Sequence, residues 1–291
     1  MTHIDLSYDS LDGLSVGDAF GAQHFVPGGP GDPGDPGAAG AWPWTDDTEM
    51  ACSLVAELDQ HHTIDQDRLA RAFAERCEPY RGYGGGAVVI LHRIRDGVHW
   101  RDAAREAFHG QGSMGNGAAM RVAPLGAFHA GDPRTAVVEA MRSAEVTHAH
   151  PEAILGAVAV AVAAAEAGWA RLTRNPPTPQ ELLDAVLAYA VDSRVQAGIQ
   201  RAKAVTGTAE AAYVLGNGSQ VLAQDTVPFA LWVAAHHLDD YGAAIEQCVE
   251  AGGDVDTTAA IVGGIVAAYT GRDGIPQRWL RRREPLPAYV R

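Results

Sequence analysis

The sequence predicts an all-α fold, a single multi-helix domain, and three observations carry that reading. Apolar residues recur at three- and four-residue steps, the period-two alternation of half-buried strands is nearly absent, and several runs are rich in the Ala and Gly that let helices approach closely. A length of 291 residues with 47% hydrophobic content suffices for one large core, although length alone would also permit two domains. We read residues 1–291 as one domain.

The elements follow in chain order. The stretch "GGPGDPGDPGAAG" (28–40) is too dense in Pro and Gly for a helix or a central strand, so it is expected to be a surface loop or flap. Behind "WTDDTEM" (44–50), Ala51, Leu54, Val55 and Leu58 form the apolar stripe of a core-facing helix. The run from Pro151 to Ala170 is apolar on nearly every face. A membrane span needs about 20 apolar residues, and Glu152 and Glu166 bracket a shorter run, so this is expected to be a core helix and no membrane association is predicted. "NPPTP" (175–179) links it to the next helix, whose start is a capping box: Thr178 as N-cap, Pro179 at the first helical position, Glu181 reaching back, then Leu182, Val186, Leu187 and Ala190. "VPFALWVAAHHL" and "YGAAIEQCVEAGG" are further helices, the second stopped by Gly252 and Gly253. "TTAAIVGGIVAAYTG" then starts anew and stops at Gly271.

Composition excludes several function classes. A formal charge of −14 argues against bulk nucleic-acid binding, which needs a basic face to displace condensed counterions. The one basic cluster, "RWLRRRE", reads as a solvated surface tail around Trp279. Three scattered cysteines without a Cys-x-x-Cys pair, and a polar opening from Met1 to Asp12, predict a cytoplasmic protein. Twelve histidines are many, but the pairs at 61–62 and 236–237 fall where helices end, and no His-Glu-x-x-His spacing appears, so zinc is not expected.

Two acidic, threonine-flanked clusters carry the candidate chemistry: Thr45, Asp46 and Asp47 before one helix, Asp254, Asp256 and Thr257 before another. Such oxygens are hard donors suited to Mg²⁺, Mn²⁺ or Ca²⁺. A helix cap accounts for one Asp per cluster but not for two, because adjacent carboxylates repel unless water or a cation holds them. Spacing alone leaves both readings open, a shared metal site or two solvated helix starts.

"GLSVGDAFGA", "WTDDTEM", "GSMGNGAAMRVAPLG", "THAHP" and "GGDVDTTAAIVGGIVAAYTG" stand in the order seen in ADP-ribosylglycohydrolases. From Gly13 to about Trp279 the chain resembles that superfamily. The resemblance implies an all-α fold of the ADP-ribosylglycohydrolase type and two Mg²⁺ or Mn²⁺ ions held by Thr45, Asp46, Asp47, Asp254, Asp256 and Thr257. It further implies hydrolysis of an ADP-ribosyl bond to a modified protein or small molecule, with Asp46, Asp47 and Asp256 able to serve as proton acceptors as well as ligands. "GSMGNGAAMR" fits the diphosphate, with Gly112, Gly115 and Gly117 admitting backbone amides to an anion and Ser113 and Asn116 adding donors; a Gly-rich turn before a buried helix reads equally well without the family. His148 matches the family's Thr-His and is expected against the ligand, while His150 is expected to be structural. Asp18 either supports the metal ligands from outside or caps a turn. One departure stands out: many members carry a glutamate on a flap after Gly-Asp-x-x-Gly, whereas this chain has Gln23 and His24 and no acid until Asp32. The alternatives are therefore a non-catalytic ADP-ribose binder, or a hydrolase or tailoring enzyme for a related small N-glycoside.

Overall fold

Two helices far apart in sequence form the centre of the molecule, and small residues put them in contact. The computed structural model describes residues 2–25 and 40–290, so the loop or flap expected at 28–40, Asp32 included, lies outside the described residues apart from Gly40. The helices are α1 (His3–Ala22), α2 (Asp46–His61), α3 (Gln66–Arg76), α4 (Gly85–Arg95), α5 (Trp100–Gly110), α6 (Ala123–Phe128), α7 (Pro133–Glu145), α8 (Pro151–Thr173), α9 (Pro179–Leu187), α10 (Arg194–Ala202), α11 (Thr208–Leu215), α12 (Ala223–His236), α13 (Tyr241–Ala251), α14 (Val255–Thr270) and α15 (Gln277–Arg282). Among the described residues there is no β-strand, only two isolated bridges, Trp42 with Arg283 and Gly115 with Leu222. The fold is all-α, as the helical periodicity predicts.

Gly13, Gly17 and Gly21 stand four residues apart on α1, so they line one face, and that face lies on α14. A Cβ at Gly17 would be 2.1 Å from the Ala259 carbonyl oxygen, and one at Gly21 2.6 Å from Asp256 Cα. No side chain larger than hydrogen fits there, so backbone meets backbone. The second buried helix is α8, long and apolar enough by composition to cross a membrane, yet 78% of its most apolar window is buried. It packs on α6, α7, α12 and α14, so its uniform apolarity is that of a core helix.

Local signals set the boundaries. Both bonds of the capping box form at α9, Thr178 with Glu181, and the helix ends at Leu187, short of Ala190. His62 terminates α2 in the left-handed region and His236–His237 close α12, so both His pairs are helix ends. The three cysteines are free and buried.

The basic segment near residue 280 requires a correction. Trp279 is 1% exposed and stacks on Phe20 with centroids 4.4 Å apart. Arg283 donates to Ser15 Oγ at 3.0 Å and approaches the buried Asp12 at 3.6 Å, while Arg272 also pairs with Asp12. The segment is anchored rather than solvated, because a large aromatic gains from burial and a buried carboxylate needs a cation beside it. Counting arginines in the sequence could not reveal that Asp12 lies inside.

Candidate active site

The close approach of α1 to α14 brings three acidic regions together. Asp18, near the C-terminal end of α1, is fully buried and accepts four hydrogen bonds from the start of α2: Thr45 N (2.9 Å), Thr45 Oγ1 (2.8 Å), Thr48 N (3.2 Å) and Thr48 Oγ1 (2.5 Å). It supplies from another helix what an N-cap residue supplies locally. Thr45 is the N-cap of α2, accepting weakly from Asp47 N, so Asp46 and Asp47 sit in the first turn without capping it. On α14, Asp254 holds the N-cap position but makes no side-chain cap bond. Of the four aspartates at these two helix starts, Asp256 accepts from a first-turn amide of its own helix, Thr257 N to Oδ1 at 2.9 Å.

These carboxyls face one another. Burial first, then the neighbouring Asp18, Asp254 and Glu49, raise Asp46 to about 7. Burial, reinforced by Asp254 through its charge and a shared hydrogen bond, raises Asp256 to about 8. Asp47, 2% exposed, is raised well above the usual range by burial and by Asp18, Asp46, Asp256 and Asp254, and its Oδ1 is buried without a partner. Asp18 is raised to about 6 by burial, held back by its four bonds from Thr48 and Thr45. Among the described residues lining the adjoining cavity there is no lysine or arginine. Clustered acid, an unpartnered buried carboxylate oxygen and no protein cation make a donor set that fits a divalent ion, although no three of these side chains already stand in a closed coordination sphere among the described residues.

The cavity measures about 690 Å³, within the range of roughly 300–1,000 Å³ usual for small-molecule sites. Asp46, Asp47, Asp254, Asp256 and Thr257 form one wall; Gly112, Ser113, Gly115, Asn116 and Gly117 form another, with His148 beside them. Every site residue expected from the sequence therefore lines it except Thr45, which stands behind, bonded to Asp18.

The loop differs in detail from a bare phosphate cradle. Asn116 Nδ2 donates to Asp254 Oδ2 at 2.7 Å and to Thr226 Oγ1 at 3.1 Å, so its amide braces the acidic wall. The backbone amides of Gly112, Gly115 and Asn116 go to Ala107 O, Ser113 Oγ and Val221 O. Ser113 accepts there and keeps its own hydroxyl hydrogen for a ligand. His150 is the N-cap of α8, accepting from Glu152 N at 3.1 Å, the structural role expected of it.

Further residues line the cavity outside the sequence motifs, among them Gly82, Gly84 and Gly86, then Phe108, and Gln220 to Leu222. The run "GYGGG" was the available signal for the first. Phe108, half exposed, and His109 both take the left-handed backbone (φ 53° and 60°), and the Phe108 ring lies over Gly86, where a Cβ would be 2.9 Å away. Nothing in the sequence marks that bend. At the flap position, Gln23 Nε2 donates to Ala19 O and the His24 ring packs edge-on against Phe20.

Residues 2–290 match the sequence profile of the ADP-ribosylglycohydrolase family. The chain belongs to that family. ADP-ribosylhydrolase ARH3 of Homo sapiens is 31% identical over 270 residues, covering 81% of this chain and 73% of its own length. An uncharacterized protein of Archaeoglobus fulgidus is 33% identical over 246 residues, covering 82% of this chain and 75% of its own. A solved structure titled ADP-ribosylglycohydrolase-related protein complex superposes with a TM-score of 0.69 at 26% identity, over 97% of this chain and 93% of that one. By family the protein is an enzyme, a hydrolase of glycosidic bonds.

Proposed function

We propose that the protein hydrolyses the bond between ADP-ribose and a modified protein or small-molecule acceptor, with Mg²⁺ or Mn²⁺ at the acidic wall. The observation that carries this is the convergence of Asp46, Asp47, Asp254 and Asp256 on one cavity that no lysine or arginine lines among the described residues. Asp46, Asp47, Asp254, Asp256 and Thr257 would hold two ions, with Thr45 behind them able to join only by turning its hydroxyl from Asp18, and the ions when bound supply positive charge to orient ribose hydroxyls and acidify a water.

The chain's own residues do the rest. The acidic wall receives the ribose; water adds to its anomeric carbon as the bond to the acceptor breaks, Asp46, Asp47 or Asp256 takes the proton that the water gives up, and the acceptor leaves carrying a proton in its turn. Ser113 and His148, at the glycine-rich loop, supply donors for the diphosphate. Asp18 and Asn116 fix the start of α2 and the Asp254 carboxylate.

One observation favours a second reading, a non-catalytic ADP-ribose binder: the described residues at the family's flap position are Gln23 and His24 rather than glutamate. Turnover of ADP-ribosyl-arginine and an ADP-ribosyl-serine peptide, each with Mg²⁺, Mn²⁺ or EDTA, decides. Metal-dependent release of ADP-ribose from either is expected. Tight ADP-ribose binding with no turnover, restored by Gln23→Glu or His24→Glu, would establish the binder instead.

A further inference from the structure

Behind the lining residues Met50 and Thr147 stands a buried cation that pairs with no carboxylate among the described residues. Arg121 is fully buried, with its guanidinium 4.5 Å over the Phe73 ring. Nη2 donates to Ser143 O at 2.7 Å, and Nη1 donates to Thr147 Oγ1 at 3.0 Å and weakly to Met50 Sδ at 3.4 Å. Thr147, also fully buried, places the same Oγ1 2.7 Å from His148 Nδ1.

Proton counting decides the direction of that last bond. A guanidinium has donors only, so it occupies a lone pair of Oγ1 and leaves the hydroxyl hydrogen to be placed. Among the described residues the remaining neighbour within bonding distance is His148 Nδ1, which must then accept. Were Nδ1 to carry a proton, two donors would converge on one oxygen and the hydroxyl hydrogen would be stranded in the core. The ring proton is therefore on Nε2. We infer that Arg121 and Thr147 are positioning residues that lock His148 as the neutral Nε2–H tautomer, so that the ring presents a fixed hydrogen-bond donor to an acceptor oxygen of the nucleotide.

The surroundings agree. Burial and the Arg121 charge pull the His148 imidazole down to about 3, which keeps it uncharged. Its Nε2 edge lies against the glycine loop: a Cβ at Gly117 would stand 2.9 Å from Cε1 and 3.1 Å from Nε2, and one at Gly115 3.5 Å from Nε2. The glycine at 117 thus makes room for this ring. A neutral donor suits an acid-rich pocket, because it binds oxygen without forming an ion pair with the carboxylates that line the same cavity.

The nucleotide half of the inference rests on the proposed function; the tautomer half does not. Nitrogen-15 spectra of histidine-labelled protein at about pH 7, with the His148 signals assigned through His148→Gln, should show a protonated Nε2 and an unprotonated Nδ1. Thr147→Val, which removes the hydroxyl but keeps the shape, should abolish that single-tautomer pattern and weaken ADP-ribose binding about tenfold, the worth of one hydrogen bond. Thr147→Ser should restore both. A wild-type spectrum showing Nδ1–H or imidazolium overturns the inference, as does a folded Thr147→Val protein with an unchanged spectrum. If the valine variant does not fold, the wild-type and serine spectra still decide. Wild-type protein with the expected spectrum but no affinity for ADP-ribose would remove the proposed function and leave the tautomer lock standing.

Discussion

At the scale of single residues the acidic wall governs how stability responds to pH. Asp18, Asp46 and Asp256 have folded-state values of about 6, 7 and 8, each raised from 3.8. The folded protein therefore holds protons that the unfolded chain has released, and stability present below about pH 4 is lost as pH climbs through these values. Without metal, the melting temperature should fall between about pH 5 and pH 8, and saturating Mg²⁺ or Mn²⁺ should flatten that fall. A metal-free melt independent of pH would mean the carboxylates are solvated and separate. Asp46→Asn and Asp256→Asn test the same repulsion from the other side. Each removes a like charge, so each should melt at or above wild type in EDTA at about pH 8 while losing most of its turnover; variants that unfold yet retain full specific activity in the folded fraction would make the aspartates structural.

At the scale of elements, the stripe of Gly13, Gly17 and Gly21 sets the distance between α1 and α14. Gly17→Ala should destabilise by at least about 1–3 kcal/mol, as overpacking does, and should weaken metal binding because α14 carries Asp256. Gly85→Ala is the control: its Cβ meets nothing within 4 Å and its φ is ordinary, so its stability should lie within about 0.5 kcal/mol of wild type. Trp279→Ala should cost about 3–5 kcal/mol, the usual loss for a buried aromatic, measured by denaturant titration; a near-neutral effect would return α15 to the solvated tail that its arginines suggest. The legibility of the sequence divides along the same line. Helices with a stripe or a cap, such as α2 and α9, can be read directly, because periodicity and capping are local. α1 has buried Ser, Asp and Gly on almost every face and therefore no period to read. The acidic wall was legible because like charges side by side demand an explanation within a few residues. Gln220 to Leu222 and the Phe108 bend were not, since only tertiary packing brings them to the cavity, and the commitment of Asn116 to Asp254 rests on a partner 138 positions away.

At the scale of the whole molecule, an ion bound at the acidic wall would tie α2 to α14. Metal that binds the folded state alone should add about 2.7 kcal/mol of stability at a hundred times its dissociation constant, read as a rise in melting temperature that EDTA reverses; identical melts with EDTA and with millimolar Mg²⁺ or Mn²⁺ would leave the wall without its ion. The glycine face of α1 has a further consequence, in how the chain comes to be folded. Because α1 is made early and its partner α14 late, the groove at Gly13, Gly17 and Gly21 stays unfilled through most of synthesis, the slow situation of contacts between distant parts of a sequence. Chains stopped before Val255 should therefore accumulate as sticky, chaperone-held species rather than as a smaller folded core, and the cavity beside the acidic wall should appear in one late step when the last long helix docks.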